Sequence, residues 1–349
     1  MRNKITYSLV LTAICSLNAL TQQDKHLSMW NENAAQFNPG AVGVMDENAR
    51  LLTNFRMQWL PLNGSAMRTN TFSFDTRITT SQVTESYLGI GINFSNDQTG
   101  DSKLTTNSFS VPIAYNIQID RKSSFSIGIA PGFYSQTFGG NQTWNNQWNG
   151  TTFDQTLVSG EASLQKVSSF DLGSGMLFKH KFDATSHITA GFSVNHINPS
   201  STSYSSINNG LFRQFNFHVS GTKFDSDRRF GISPQALVTV MGPNYNILVG
   251  TYFDHELFES SQRTNYVQRS FISYGFFIRW KDAFIISAAF KINSFKFGVS
   301  YDVNLSKLST ATRSSGGFEL FLKYSIINDP NAKIGDKKLF RWKGGGGGL

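Results

Sequence analysis

The stretch YLGIGINFS, residues 87–95, alternates large apolar residues with small or polar ones over its whole length. In an extended strand these side chains face opposite sides, with Leu88, Ile90, Ile92 and Phe94 on one side and Gly89, Gly91, Asn93 and Ser95 on the other. This two-residue period predicts a β-strand with one apolar and one small polar face. The same pattern recurs in residues 187–196, 294–302 and 317–324.

The composition narrows the class of protein. The chain of 349 residues has 31 Phe and 30 Gly but only 8 Pro, and only 15% of its residues are charged, against about a quarter in typical proteins. After the N-terminal signal, no apolar run reaches the ~18 residues of a membrane-spanning helix. Together with the alternation, this favours an all-β protein, an outer-membrane barrel with apolar side chains outside and small polar ones inside.

The alternating runs predict an antiparallel transmembrane barrel of about 14 strands, each near the ~9–11 residues that such a strand needs. Proline is tolerated in strands mainly at edges and bulges, so Pro112, Pro131 and Pro234 count against the assignment of the strands that contain them. The candidate strands are residues 51–59, 69–78, 87–95, 107–119, 124–134, 167–178, 187–196, 213–222, 229–240, 245–254, 269–280, 283–292, 294–303 and 317–325.

The two ends of the chain have compositions of their own. Basic residues, then an apolar run and small polar residues, predict a secretory signal peptide over residues 1–21, which is removed on export. Cys15, the only cysteine, lies in this signal. We therefore expect an N-terminal segment at residues 22–50, a barrel at 51–325 and a periplasmic tail at 326–349, in the outer membrane of a diderm bacterium.

The segment WNENAAQFNPGAVG, residues 30–43, precedes the first strand. Asn38, Pro39 and Gly40 favour a tight turn, and Trp30 and Phe37 offer aromatic anchors. A barrel of about 14 strands is wide enough to hold more than its own side chains. We expect this segment to fold into the lumen and to plug its periplasmic half; a disordered leader is the alternative.

Several charged residues fall on predicted inward faces: Arg56, Asp75, Arg77, Lys291, Lys296, Asp302, Glu319 and Lys323. Charges inside a barrel usually form a paired network that satisfies the interior. The alternative is that they form a contact surface for the N-terminal plug.

Two regions are candidate surfaces for cargo or partners. The long loop at 135–166 carries Trp144 and Trp148 among Asn, Gln and Thr, and could stack on a glycan, dock a protein or pack on its own tryptophans. The basic tail with Phe340, Arg341 and Trp342 could dock a periplasmic partner, lie on lipid headgroups or be a frayed terminus.

The sequence gives little support for catalysis or metal binding. The only acid–histidine cluster is Asp254–His255–Glu256, which we interpret as ordinary rim surface. No histidine or cysteine pair has zinc-site spacing, and no glycine-rich phosphate loop precedes a helix. We therefore expect no enzymatic activity, metal or cofactor. The formal net charge of +8 suits contacts with anionic lipid headgroups, and no nucleic-acid motif is present.

Several stretches together resemble the PorP/SprF family of outer-membrane proteins of the type IX secretion system. They occur in the order and spacing of that family over most of residues 22–325. Gly40 stands where the family often has Ala, and the 135–166 loop looks enlarged. The stretches are QQDKHLSMWNENAAQFNPGAVG, NFRMQW, YLGIGINFSNDQTGD, FDLGSGMLF, ITAGFSVNHINPS and FKFGVSYDVNLSKLSTATRSSGGFELFLKYS.

The resemblance implies a non-enzymatic role in secretion and gliding. Such proteins are thought to hold secreted cargo, often adhesins with a C-terminal sorting domain, at the cell surface. They are also thought to connect the outer membrane to periplasmic secretion components and a peptidoglycan-binding protein. Two other functions stay open from the residues alone: a hydrophobic-substrate transporter of the fatty-acid-uptake type, and a passive porin.

Overall fold

A computed structural model shows how the alternating segments assemble. The structure describes residues 24–61, 66–79, 86–100, 103–139, 145–154, 156–157, 166–198, 211–258, 270–306 and 309–326. In this part of the chain, no helix is long and apolar enough to cross a membrane.

The chain forms one antiparallel sheet that closes on itself. Its strands are β1 (Ala49–Gln58), β2 (Met67–Thr79), β3 (Tyr87–Thr99), β4 (Leu104–Ser110), β5 (Ile113–Gln118), β6 (Ser123–Thr137), β7 (Lys166–Lys181), β8 (Ser186–Asn195), β9 (Gln214–Phe224), β10 (Phe230–Met241), β11 (Asn244–Phe258), β12 (Ser270–Arg279), β13 (Ala283–Ile292), β14 (Phe295–Asn304) and β15 (Ser315–Ile326). Each pairs with its neighbours in the chain, except that β4 and β5 do not pair with each other, and β15 pairs with β1.

Segments β4 and β5 are two parts of one strand, because both pair with β3 on one side and with β6 on the other. The barrel therefore has fourteen strands, which confirms the number predicted from the alternation. The first strand begins at Ala49, two residues earlier than predicted.

The two faces of the sheet carry the side chains that the alternation predicts. Ile92 and Phe94 of β3 are exposed on the outer face, whereas Asn93 and Ser95 are buried on the inner face. In β14, Phe297 is exposed and Asp302 is buried. An outer face this apolar suits lipid, and the inner face is polar.

The three prolines interrupt hydrogen bonding without ending their strands. Pro112 separates β4 from β5, but its carbonyl accepts the Gly91 N–H at 2.9 Å. The Val111 N–H donates to the Pro131 carbonyl at 2.9 Å, so the break is bridged on both sides. Pro234 pairs with Thr251 of β11, while the described pairing with β9 omits its position. The prolines therefore coincide with local gaps in the ladders, but the strands continue past them.

The barrel has two distinct mouths. Connections 138–165 and 196–213 lie at one end, which we call the long-loop mouth. Connections 119–122, 182–185 and 293–294 lie at the other end, which we call the short-turn mouth. Outside the strands, 3₁₀ turns form at Trp30–Gln36, Pro39–Ala41 and Asn145–Gln147, and a short helix, α1, forms at Ser309–Thr312.

Candidate functional site

Residues 24–48, called the N-terminal segment below, contact the inward-facing side chains of the barrel. Trp30 is 1% exposed, and its ring lies edge-on against His218 of β9 at 5.4 Å between centroids. Burial of large side chains of this kind stabilises packing by roughly 2–3 kcal/mol each. One apolar cluster joins the segment to the wall and consists of Leu27, Trp30, Phe37, Leu237, Leu248, Tyr252, Phe277 and Ile285.

A buried ionic cluster fixes the segment near the long-loop mouth. Arg56 Nη2 lies 2.6 Å from Asp302 Oδ2, and its Nη1 lies 3.2 Å from Glu319 Oε2. Arg279 Nη1 adds a second contact to Asp302 at 2.9 Å. The four side chains come from β1, β14, β15 and β12 and are all buried, and Arg279 Nη1 also lies 3.2 Å from Asp282 Oδ2.

Ser28 of the N-terminal segment sits at the centre of these four charges. Its hydroxyl accepts from Arg56 Nη1 at 2.6 Å and from Arg279 Nη2 at 2.8 Å, and donates to Asp302 at 2.9 Å. Its backbone N–H donates to Glu319 at 2.6 Å. Buried charge pairs need such additional hydrogen bonds to offset their desolvation. We call this arrangement the Ser28 cluster.

Further along, the turn at residues 38–43 packs directly on wall glycines. A Cβ at Gly128 would lie 2.6 Å from the Pro39 carbonyl oxygen, and one at Gly89 only 2.2 Å from that of Val42. At Gly175 it would meet the Asn38 side chain at 2.1 Å. Gly89, Gly128 and Gly175, from β3, β6 and β7, form what we call the glycine patch. Any side chain there would occupy space that the turn fills.

The turn is also held by hydrogen bonds. The Asn38 side chain accepts from the Gly40 N–H at 2.8 Å and donates to the Met176 carbonyl at 2.9 Å. Gly43, with φ of +74°, donates its N–H to Asp75 at 2.8 Å, and Asp75 also binds Arg50 at 2.7 Å. The positive φ favours glycine at position 43.

The last contacts of the segment lie at the short-turn mouth. Glu32 forms ion pairs with Lys296 and, at 3.8 Å, with Lys323. Burial opposes ionisation of Glu32, but these two ammonium groups outweigh it and hold its pKa below the usual range. Asp46 lies 3.7 Å from Lys179, and Arg77 donates to the Met45 carbonyl at 3.0 Å.

The segment therefore contacts the wall at both mouths. The Ser28 cluster includes Arg279, the last residue of β12, at the long-loop mouth, whereas Lys296 is the second residue of β14 at the opposite end. We expected contacts in the periplasmic half alone. The difference arises because the chain before Trp30 also enters the lumen, where Lys25 reaches Ser95 at 3.2 Å. That the segment plugs the barrel stays a prediction.

The structure places the predicted lumen charges as follows. Arg56, Asp302 and Glu319 belong to the Ser28 cluster, and Asp75 pairs with Arg50. Arg77 and Lys323 contact the N-terminal segment, as does Lys296, which lies directly opposite Lys291 across the sheet. Their roles stay predictions.

The sequence analysis missed several residues of this site. Arg279 falls on the inward face of β12, so the same alternation could have identified it. Ser28 and Glu32 belong to the irregular N-terminal segment, where no period indicates which side chain meets which charge. Nothing in the sequence distinguishes Gly128 and Gly175 from other strand glycines.

Residues predicted to contact partners are placed only in part. Trp148 is 49% exposed and packs edge-on against the similarly exposed Phe153 at 4.9 Å between centroids. Trp144, Phe340, Arg341 and Trp342 lie outside the described residues.

The acid–histidine cluster of β11 does not assemble into one site. Asp254 accepts from Ser233 inside the barrel, whereas His255 packs against the Phe230 ring at 5.3 Å. Neighbouring strand residues point to opposite faces, which separates the two side chains. In the described part of the chain, no group of three or more His, Cys, Asp or Glu residues is placed to hold a metal ion.

Comparison with known proteins identifies the family. The family described as "Type IX secretion system membrane protein PorP/SprF" matches residues 19–324. The chain belongs to the PorP/SprF family. Membership and the closed barrel together assign this PorP/SprF protein to the outer membrane and to type IX secretion. A search of curated protein sequences gave no match.

Solved barrel structures are also similar to this PorP/SprF protein in shape. The toluene transporter TbuX of Ralstonia pickettii has 11% identity and a TM-score of 0.48, over 84% of this chain and 93% of the other. A Pseudomonas aeruginosa FadL homologue has 10% identity and a TM-score of 0.43, over 84% and 94%. BamA of Haemophilus ducreyi has 9% identity and a TM-score of 0.43, over 80% and 70%.

Proposed function

We propose that this protein is a non-enzymatic component of type IX secretion that binds or anchors secreted cargo at the cell surface. The cargo carries a C-terminal sorting domain, as an adhesin used in gliding does. On its periplasmic side the barrel links to secretion components or to a peptidoglycan-binding protein. The family match over residues 19–324 is the observation that carries the proposal.

The occupied lumen supports a binding role over a transport role. In this proposal residues 22–50 plug the barrel after the signal peptide, residues 1–21, is cleaved. The contacts of this segment with four buried charges and with bare wall glycines support this part of the proposal. Function then lies on the surfaces at the two mouths, where loops and chain ends meet other proteins.

The long-loop mouth is the proposed cargo side. In most barrels both chain ends are periplasmic and the longer loops are extracellular, which places connections 138–165 and 196–213 outside the cell. Trp148 and Phe153 present two exposed rings there, among Asn and Thr side chains. The tail at residues 326–349 would then emerge in the periplasm, where Phe340, Arg341 and Trp342 are available to a partner.

The two alternative functions, hydrophobic-substrate transport and passive diffusion, require a different barrel interior. A hydrophobic-substrate transporter needs an apolar lumen pocket and a lateral opening, whereas Arg56, Asp302 and Glu319 make this interior charged. A passive porin needs an open lumen. Both remain the alternatives against which the secretion role is tested.

The test is affinity purification from the native host with a tag in a surface loop, followed by mass spectrometry. We expect a large surface protein with a C-terminal sorting domain, or periplasmic secretion-ring and peptidoglycan-binding proteins. A matched preparation of Trp148→Ala with Phe153→Ala should lose cargo but keep the periplasmic proteins. A barrel that is recovered alone, with steady conductance or bound lipid, would contradict the secretion role.

A further inference from the structure

A row of phenylalanines crosses five neighbouring strands on the outer face of the barrel. Each member stands directly opposite the next in register, and all are exposed. Towards the long-loop mouth they are the last large apolar side chains on the outer face of these strands. We call this set the phenylalanine row: Phe72, Phe94, Phe109, Phe133 and Phe170 on β2, β3, β4, β6 and β7.

Beyond the phenylalanine row, the same five strands carry two further rows of outward side chains, and all of them are polar. The first of these rows consists of Asn70, Asn96, Asn107, Ser135 and Ser168. The second consists of Arg68, Gln98, Thr105, Thr137 and Lys166. We call the two rows together the polar wall. Its only charged members, Arg68 and Lys166, lie at the two ends of the second row and are exposed.

The polar wall belongs to one side of the barrel. On β11, β12 and β14, exposed apolar side chains continue on the outer face up to the long-loop mouth, as Tyr245, Ile278 and Leu305 do. Trp280, directly after β12, is exposed at the same mouth. The change from apolar to polar is therefore a feature of β2, β3, β4, β6 and β7 and not of the mouth as a whole.

The wall is rich in neutral hydrogen-bonding groups. Asn96 donates to Asn107 at 2.7 Å, and Ser168 donates to Ser135 at 3.1 Å. An amide side chain has two N–H donors and a carbonyl acceptor, so these contacts use only part of the capacity of the wall. Neutral amides and hydroxyls match sugar hydroxyls as donors and acceptors, whereas guanidinium and ammonium groups bind phosphate.

The position of the wall narrows the class of partner. Four residues of strand beyond the phenylalanine row reach about 10 Å further from the lipid core once the usual tilt is included, which is the headgroup layer. The core of a protein–protein interface is enriched in aromatic residues, and the wall has none. A membrane lipid with a sugar headgroup fits both the place and the chemistry.

We infer that the polar wall binds the phosphorylated sugar headgroup of a glycolipid of the outer leaflet, whose acyl chains lie against the phenylalanine row. Amides and hydroxyls of the wall contact the sugars, and Arg68 and Lys166 contact the phosphates. The inference rests on the proposed function, which places the long-loop mouth outside the cell. The lipid occupies the side of the barrel and leaves the mouth free for cargo.

The test uses the purified full-length protein in detergent and counts bound lipid by native mass spectrometry. The probes are lipopolysaccharide with a short sugar core and phosphatidylglycerol, which lacks that core. Asn96→Ala with Asn107→Ala should weaken lipopolysaccharide binding about tenfold, the effect of two lost hydrogen bonds, and leave phosphatidylglycerol binding unchanged. Heat-modifiable gel mobility checks that the variant folds.

A second pair of substitutions tests the phosphate contacts. Arg68→Gln with Lys166→Gln should weaken lipopolysaccharide binding about fivefold, since exposed ion pairs are weak. Lys281→Gln with Arg313→Gln is the matched control, because it removes two exposed cations at the same mouth but outside the wall. The control should bind both lipids like the unaltered protein.

Equal lipopolysaccharide binding by the Asn96→Ala, Asn107→Ala variant and the control would overturn the sugar site. Loss of both lipids alike, and only in the Arg68→Gln, Lys166→Gln variant, would show attraction to phosphate alone and would also overturn it. A photo-cross-linker at position 70 in the native host should capture lipopolysaccharide, and capture of a protein instead would contradict the glycolipid. Labelling of Asn70→Cys on intact cells by an impermeant reagent checks the orientation separately, and partner recovery tests the proposed function.

Discussion

At the scale of single residues, Ser28 carries an unusual share of the polar contacts inside the barrel. A small neutral hydroxyl bridges two guanidinium groups and a carboxylate, which lie on three different strands. Asp302 already pairs directly with Arg56 and Arg279, and Ser28 adds a hydrogen bond to each of the three groups. A buried cluster of this kind is sensitive to the loss of any member, because the remaining groups cannot form replacement hydrogen bonds with water.

Ser28→Ala should release the N-terminal segment more often. The substitution leaves Arg56, Arg279 and Asp302 each short of a hydrogen bond, at a cost of about 2 kcal/mol. That corresponds to about thirtyfold faster proteolytic cleavage within residues 24–48 of the folded barrel. Ser168→Ala is the control, because Ser168 is exposed and makes only a hydroxyl contact to Ser135. Equal cleavage of both variants would contradict the role given to Ser28.

The N-terminal segment should also bind the barrel wall less stably at acidic pH, because His26 becomes protonated when the segment is released. Burial, aided by Arg279 and Arg56, lowers the pKa of His26 from 6.5 to about 4. A released His26 gains a proton below pH 6.5 that the docked one does not. Stability is therefore lost as the pH falls from 6.5 towards 4, by at most about 2 kcal/mol once the partial exposure of His26 is allowed for.

A spin label on Lys25→Cys measures this loss, as greater label mobility at pH 4.5 than at pH 7.5. The added variant His26→Gln should show a flatter profile, because the titrating group is gone. The lowered pKa of Glu32 acts in the same direction at lower pH, since its ion pairs are lost once it is protonated. Label mobility that is constant between pH 7.5 and 4.5 would refute the effect.

At the scale of elements, the turn and the strands beneath it are complementary in shape. The turn at residues 38–43 comes within side-chain distance of β3, β6 and β7, which only bare glycines allow. The strands lose side-chain packing at these positions, and the turn replaces it. The fit explains why a three-residue 3₁₀ turn is buried although it has few apolar atoms.

Gly128→Val should displace this turn while the barrel still forms, because the added side chain points into the lumen. A Cβ at position 128 meets the Pro39 backbone at 2.6 Å, which a small shift cannot relieve. We expect new proteolytic cleavage near residues 38–43 with unchanged heat-modifiable gel mobility. Gly221→Val is the matched control, since a Cβ there is no closer than 3.7 Å to other atoms. If residues 38–43 of Gly128→Val resist proteolysis, the glycine patch does not determine the position of the turn.

At the scale of the whole molecule, the closed sheet and its internal segment form one packed unit. The N-terminal segment contributes Leu27, Trp30 and Phe37 to a buried apolar cluster with side chains of the wall. The outer face meets lipid through exposed Phe, Ile and Tyr side chains. The interior holds charges whose partners come from both the wall and the segment.

The full-length protein should form no steady channel in planar lipid bilayers if the N-terminal segment, which contacts the wall at both mouths, plugs the lumen as we propose. Deletion of residues 24–45 should give a persistent conductance, since the charged wall would then line a water-filled path. Heat-modifiable mobility checks that the deleted form still folds. Steady conductance of the intact protein at the level of the deletion would support the porin alternative.

The sequence by itself determined the barrel. Strand number, strand direction and the assignment of faces follow from a two-residue period that is local to each strand, and every candidate strand overlaps an observed one. The prolines counted against three of these strands, but they coincide only with local gaps in the ladders. The turn at Asn38 and Pro39 could also be predicted, because turn formation depends on local sequence.

Only the tertiary structure decided which residues of the N-terminal segment contact which residues of the barrel wall. Ser28 and Glu319 are 291 residues apart in the chain and meet because β15 closes on β1. Glu32 contacts Lys296 and Lys323, and Pro39 contacts Gly128, although both belong to an irregular segment without a period that could predict these contacts. Such contacts depend on closure and on the path of the segment, which are properties of the assembled barrel and not of any stretch of sequence.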